Sequence, residues 1–227
     1  MARTKIKKSK RRSSPASGRA VPDTRSLEEV AHPKHAYALL LVDVLNPMDF
    51  PEGKFLLRQA MPAARKIAKL KHRLKAAGVP VIYANDNFGL WRSEKWDVIA
   101  QATHERSVGR SVARLLLPDD DDFFILKPKH SAFFSTTLET LLRHLGTKSI
   151  VAVGLSANLC LLHTVFDGHA RGFRLFVPRD CVAANARKYT NHALDLFADF
   201  LDVDIRASDK LKPLGRGTPP ESRTEKT

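Results

Sequence analysis

Continuous apolar runs alternate along the chain with stretches in which apolar residues recur every three or four positions. Residues 36–42 are uninterruptedly apolar and stop at Asp43. So short a run, ended by a polar residue, predicts a strand buried on both faces, as in a parallel sheet. Ala63, Ile67, Leu70, Leu74 and Ala77 then fall at i, i+3/i+4 spacing with basic residues between them. That pattern predicts an amphipathic helix opened by Pro62 and closed by Gly78. Further apolar runs predict strands over residues 80–84, 123–126, 149–153, 174–177 and 203–205. Helical periodicity fills 138–145, 160–171 and 186–201. Six strands alternating with helices imply right-handed βαβ units and an open α/β sandwich, with a parallel sheet between two helical layers.

In such sheets the binding crevice lies beyond the carboxyl ends of the strands. The residues that end the strands here are Asp43, Asp86, Lys127, the segment Gly154–Cys160 and Asp180. A carboxylate, an ammonium and a thiol from distant parts of the chain are therefore expected at one edge of the sheet.

Composition changes the picture at the two ends. The 227 residues carry 38 Lys and Arg against 24 Asp and Glu, a formal net charge of +14. Residues 1–34 hold ten basic side chains against three acidic ones, with few large apolar residues. A segment of that kind cannot bury enough surface to offset its ordering entropy, so disorder is predicted for 1–34 and for the Gly/Pro-containing residues 212–227. The folded domain is expected at 35–211. No apolar run reaches the ~18 residues of a membrane span, and no apolar stretch follows the basic N-terminus as in a secretory signal. A cytoplasmic protein is the expectation, in a compartment that keeps Cys160 and Cys181 as free thiols.

Cys160 stands at the turn from a buried strand into a helix. Unpaired N–H groups and the helix dipole there favour a thiolate and could hold an oxyanion. A small buried hydrophobe is the plainer fate of a free cysteine, and Cys181, among Val182, Ala183 and Ala184, is read that way. Asp43, at the end of a wholly apolar strand, needs a partner for its charge. Lys127 is the natural one, although Lys129, two residues on, competes for the role. His163 lies one turn after Cys160 and points back poorly; His130 could face cleft or solvent.

Three blocks taken together resemble the isochorismatase-like cysteine hydrolases: Leu39-Leu40-Leu41-Val42-Asp43, Leu126-Lys127-Pro128-Lys129-His130-Ser131-Ala132-Phe133, and Gly154-Leu155-Ser156-Ala157-Asn158-Leu159-Cys160. The resemblance covers roughly residues 36–208. It implies a Rossmann-like, six-stranded parallel sheet of order 3-2-1-4-5-6. It also implies a catalytic triad of Asp43 as general base, Lys127 as the orienting cation and Cys160 as nucleophile, with no cofactor. A cis peptide between Ser156 and Ala157 is implied as well, so that the Ala157 and Cys160 N–H groups face the oxyanion. Family members often have Thr at the position of Ala157 and Gln at that of Leu45, and nicotinamidase-like members bind a metal through Asp-x-His. The stretch here reads Asp86-Asn87-Phe88, and Phe88 cannot be a ligand, so no metal is expected. Asn85, Asp86, Asn87, Phe88 and Trp91 would instead line a substrate pocket, or else form a capped loop with Trp91 on the core.

The activity implied is hydrolysis of a small amide, carbamoyl or ureido compound through a thioester. The alternatives are vinyl-ether hydrolysis of isochorismate and a catalytically silent scaffold whose basic tail binds polyanions. A homo-oligomer is expected by resemblance. The tail, with no aromatic residue among Lys5 to Arg12, offers only non-specific polyanion contact.

Overall fold

A computed structural model describes residues 34–211; the tails expected at 1–34 and 212–227 lie, apart from Lys34, outside the described residues. The strands are β1 (Tyr37–Val42), β2 (Val81–Asp86), β3 (Phe123–Lys127), β4 (Ser149–Leu155), β5 (Arg174–Phe176) and β6 (Val182–Ala183). All pairings are parallel, in the order β3-β2-β1-β4-β5, with β6 pairing β4 beyond the end of β5. The helices are α1 (Gly53–Ala76), α2 (Lys95–Thr103), α3 (Arg110–Leu115), α4 (Leu138–His144), α5 (Cys160–Ala170) and α6 (Arg187–Leu201).

Alternation along β1 explains the layers. Tyr37, Leu39 and Leu41 pack with α1, α2 and α3, while Ala38, Leu40 and Val42 pack with α4, α5 and α6. Every residue of β1 is buried, as the unbroken apolar run requires when both faces are covered. Burying each large side chain contributes about 1.5–3 kcal/mol, so β1 alone supplies on the order of 10 kcal/mol as an upper estimate. That gain is ample to carry a charged residue at its end into the interior.

The helices α1, α2 and α3 and the last strand differ from the sequence expectation. Helix α1 starts nine residues before Pro62 and contains it. Leu56 and Ala60 extend the buried stripe N-terminally, and their burial offsets the hydrogen bond that proline removes. Helices α2 and α3 bury only Val98 with Ala102 and Val112 with Ala113, too few apolar positions to mark a period. Residues 203–205 form no full strand. They add one parallel bridge, Asp204 to Phe176, at the outer side of β5, and the sixth strand is β6. Among the described residues no helix is long and apolar enough to cross a membrane.

At Gly154 the two central strands leave no room for a side chain. The glycine's φ is +121°, and a Cβ there would lie 2.2 Å from the Val42 carbonyl oxygen. Gly154→Ala is therefore expected to cost about 3 kcal/mol or more, since the backbone of β1 has no room to yield. Gly172→Ala, also at positive φ (+78°) but in open space, should cost only about 1 kcal/mol. Chemical denaturation of both variants checks this: equal losses would refute the close approach as the cause.

Candidate active site

Parallel strands deliver their carboxyl ends to one edge, and the reactive side chains sit there. β1 hands over to Asp43, which turns the chain with a left-handed φ of 49°, a conformation aspartate tolerates better than most residues. The last register pair of β2 and β3 is Asp86 with Lys127. β4 ends at Leu155, and after a four-residue turn α5 begins at Cys160.

Lys127 is fully buried. Its Nζ lies 2.8 Å from Asp43 Oδ2 and 3.5 Å from Asp86 Oδ2, and it donates to the Lys129 carbonyl oxygen at 3.1 Å. The other Asp43 oxygen accepts the Asp86 N–H at 2.7 Å. The choice between the two lysines follows from strand length. β3 persists through Lys127, which turns inward, whereas Lys129 lies beyond it, exposed, and offers only its backbone.

Burial raises the Asp43 carboxyl above the ordinary carboxylate range, against the pull of the Lys127 ammonium. Burial works against the Lys127 charge too, but Asp43, Cys160 and Asp86 outweigh it and hold the ammonium protonated. The Cys160 thiol is pushed up to about 12, first by burial and then by the Asp43 charge, with Lys127 opposing. Burial and the neighbouring carboxylate thus favour the protonated thiol at rest, against the helix dipole, which favours a thiolate.

Cys160 Sγ lies 3.7 Å from His130 Nδ1. Thr164 ties the two segments together, donating to the Cys160 carbonyl oxygen at 2.7 Å and accepting the Ala132 N–H at 3.0 Å. His163 makes no hydrogen bond to the sulfur among the described residues. Its Nδ1 is 2.7 Å from the Leu159 carbonyl oxygen, and its ring stands 5.3 Å from that of His130. His130 is thus the residue that sequence reasoning left undecided; its place just after β3 was the available signal, but a loop has no side-chain period to say where it points.

Several expectations are corrected. The cis peptide is Leu155–Ser156, one bond earlier than Ser156–Ala157, because pairing with β6 ends at Leu155 and the chain turns at once. The Ala157 N–H does not face a substrate oxyanion: it donates to the Ala183 carbonyl oxygen at 2.8 Å. The Cys160 N–H has no acceptor among the described residues. Asn85 is fully buried, its amide donating to the Leu45 carbonyl oxygen at 2.8 Å. Asn87 caps its own turn through the Gly89 N–H. Asp86 does face the site. Phe88 is exposed, and Trp91, at 81% exposure, is not on the core.

Cys181 is buried beside Asp180, away from this cluster. Among the described residues the one set of three carboxylates close enough to share a cation is Asp119, Asp121 and Asp122. Lys75 Nζ lies 2.6, 2.6 and 2.8 Å from them, so an ammonium already neutralises the group.

The family described as Isochorismatase domain matches residues 37–204. The isochorismatase family protein YaaI of Bacillus subtilis is 33% identical over 174 residues, covering 77% of this chain and 95% of its own length. The ureidoacrylate amidohydrolase RutB of Methylobacterium radiotolerans is 26% identical, over 60% of this chain and 62% of its own. The crystal structure of N-carbamoylsarcosine amidase from Thermoplasma acidophilum superposes with a TM-score of 0.58 at 25% identity, covering 78% of this chain and 98% of that one.

Proposed function

The chain belongs to the isochorismatase family, and from that premise we propose that it is a cysteine hydrolase that opens the C–N bond of a small amide, carbamoyl or ureido compound through a thioester on Cys160. The observation that carries the reading is the buried Asp43–Lys127 pair, at 2.8 Å, beside a thiol that opens a helix at the sheet's carboxyl edge. The similarity to an N-carbamoylsarcosine amidase and a ureidoacrylate amidohydrolase supports the substrate class.

The charge arrangement suits proton transfer concerted with attack. At rest the Asp43 carboxylate faces the Lys127 ammonium and the sulfur holds its proton. Moving that proton to Asp43 leaves a neutral acid, an ammonium and a thiolate, so the ion pair passes from oxygen to sulfur without a change in net charge. Asp43, hydrogen-bonded to the Cys160 thiol, is placed to take its proton, as an acid–base step needs. The thiolate adds to the carbonyl, and the oxyanion finds the Cys160 N–H at the N-terminus of α5. Asp43 then returns the proton to the departing nitrogen, the C–N bond breaks, and water later releases the acyl group.

The test is a panel of small primary amides, carbamoyl amino acids and ureido acids, followed by ammonia release, with Cys160→Ser as control. Turnover of at least one compound that disappears in the control is expected. Release that persists in Cys160→Ser, or its absence across all three classes, would overturn the reading.

A further inference from the structure

We propose that His130 is a second acid–base group at the sulfur, serving the hydrolytic half of the cycle as Asp43 serves acylation; the inference rests on Cys160 being the nucleophile. The two groups flank the thiol from different depths. Asp43 is buried, paired with Lys127 and bonded to the Asp86 N–H, whereas His130 is exposed and presents Nδ1 to Sγ at 3.7 Å. Water must reach a thioester from the open side, and His130 stands there. Its backbone is held in place on both flanks. Lys127 anchors the segment before it, and the Ala132 N–H bond to Thr164 and the Ser131 hydroxyl bond to Asp167 fix the segment after it.

The step balances. Neutral His130 takes a proton from water as the oxygen adds to the thioester carbonyl. The tetrahedral intermediate collapses with cleavage of the C–S bond. The imidazolium then returns that proton to Sγ, which restores the thiol and frees the carboxylic acid. No other reactant is needed, and the same nitrogen lies against the leaving sulfur. Imidazole suits the task because a ring nitrogen can accept a proton and give it back. His163, with Nδ1 engaged by the Leu159 carbonyl, does not make the contact to the sulfur that His130 makes.

p-Nitrophenyl acetate is a probe that acetylates a cysteine without depending on the natural substrate. With His130→Gln, a burst of nitrophenol approaching one per chain is expected at the wild-type rate, followed by a steady phase about 100-fold slower. Intact-mass spectra should show one acetyl group retained on the protein, and hydroxylamine, a nucleophile that needs no base, should discharge it. Thermal melts should match the wild type, since the side chain is exposed. Deacetylation of His130→Gln at the wild-type rate would overturn the inference, and so would a slowed burst with no adduct, which would place His130 with thiol activation. A wild-type burst in Cys160→Ala is a separate result that removes the premise.

Discussion

Replacing Cys160 with alanine is expected to lower C–N hydrolysis by about 10⁴-fold or more, because in the proposed mechanism this loss removes the nucleophile and the covalent route and leaves only the binding and oxyanion contributions. The stability cost should be small. The side chain is half-buried, and alanine deletes one sulfur at a helix start where alanine is a good helix former. Cys160→Ser should be nearly as inactive. A hydroxyl is a far weaker acid than a thiol, and Asp43 is too weak a base to deprotonate it. Measured turnover in both variants, with circular dichroism to confirm the fold, checks the claim. A serine variant within tenfold of the wild type would mean that the side chain only positions something else.

The second large effect is at Lys127, where activity and stability should fall together. Lys127→Met keeps the length of the stem but removes the charge facing Asp43 at 2.8 Å. Breaking a buried pair by deleting one partner costs about 3–5 kcal/mol, which for a domain of this size is about 10 °C in Tm. The pH dependence gives the effect a sign. Burial already raises the Asp43 carboxyl, and without the ammonium nothing comparable opposes it. A group whose folded pKa is raised contributes stability that is fully present below its unfolded value, 3.8 for this carboxyl, and loses it as the pH climbs through the folded value. The variant should therefore lose stability from acid toward neutral pH more steeply than the wild type. In the wild type the raised Lys127 protects the pair until the pH passes the ordinary lysine value of 10.5. Thermal melts from pH 5 to 8 decide the matter. A variant whose Tm deficit is the same at both ends would show that the loss is packing rather than the uncompensated carboxylate. Asp43→Asn in the same background should recover much of the stability, because it removes the stranded charge, and should recover none of the activity.

These effects come from residues that were legible in different degrees. Asp43 stood out because a charge at the end of six buried apolar residues is costly unless it is used or paired. Lys127 and Cys160 stood out because they, too, end apolar strands or follow one. The layer architecture was readable for the same reason, since runs such as 36–42 have no solvent face to satisfy. Helices α2 and α3 were not readable, because each rests only two buried residues on the core. Pro62 pointed the wrong way: its local preference for a helix start yields to the burial of Leu56 and Ala60.

By itself, then, the chain's pattern determined the first five strands, that they run parallel, and hence which residues gather at one edge; it placed the sixth at 203–205 rather than at Val182–Ala183. Backbone periodicity and the cost of burying charge are local or additive, and a linear reading captures both. Tertiary structure alone decided that Lys127 rather than Lys129 meets Asp43, that the Ala157 N–H is spent on Ala183, that Asn85 turns to Leu45, and that His130 reaches the sulfur. It also decided that burial beside a carboxylate raises the Cys160 thiol, where helix position alone favours a thiolate. Each of these depends on distances of a few ångströms between segments remote in sequence, where one turn of loop geometry changes which atom is the neighbour and therefore which proton can move.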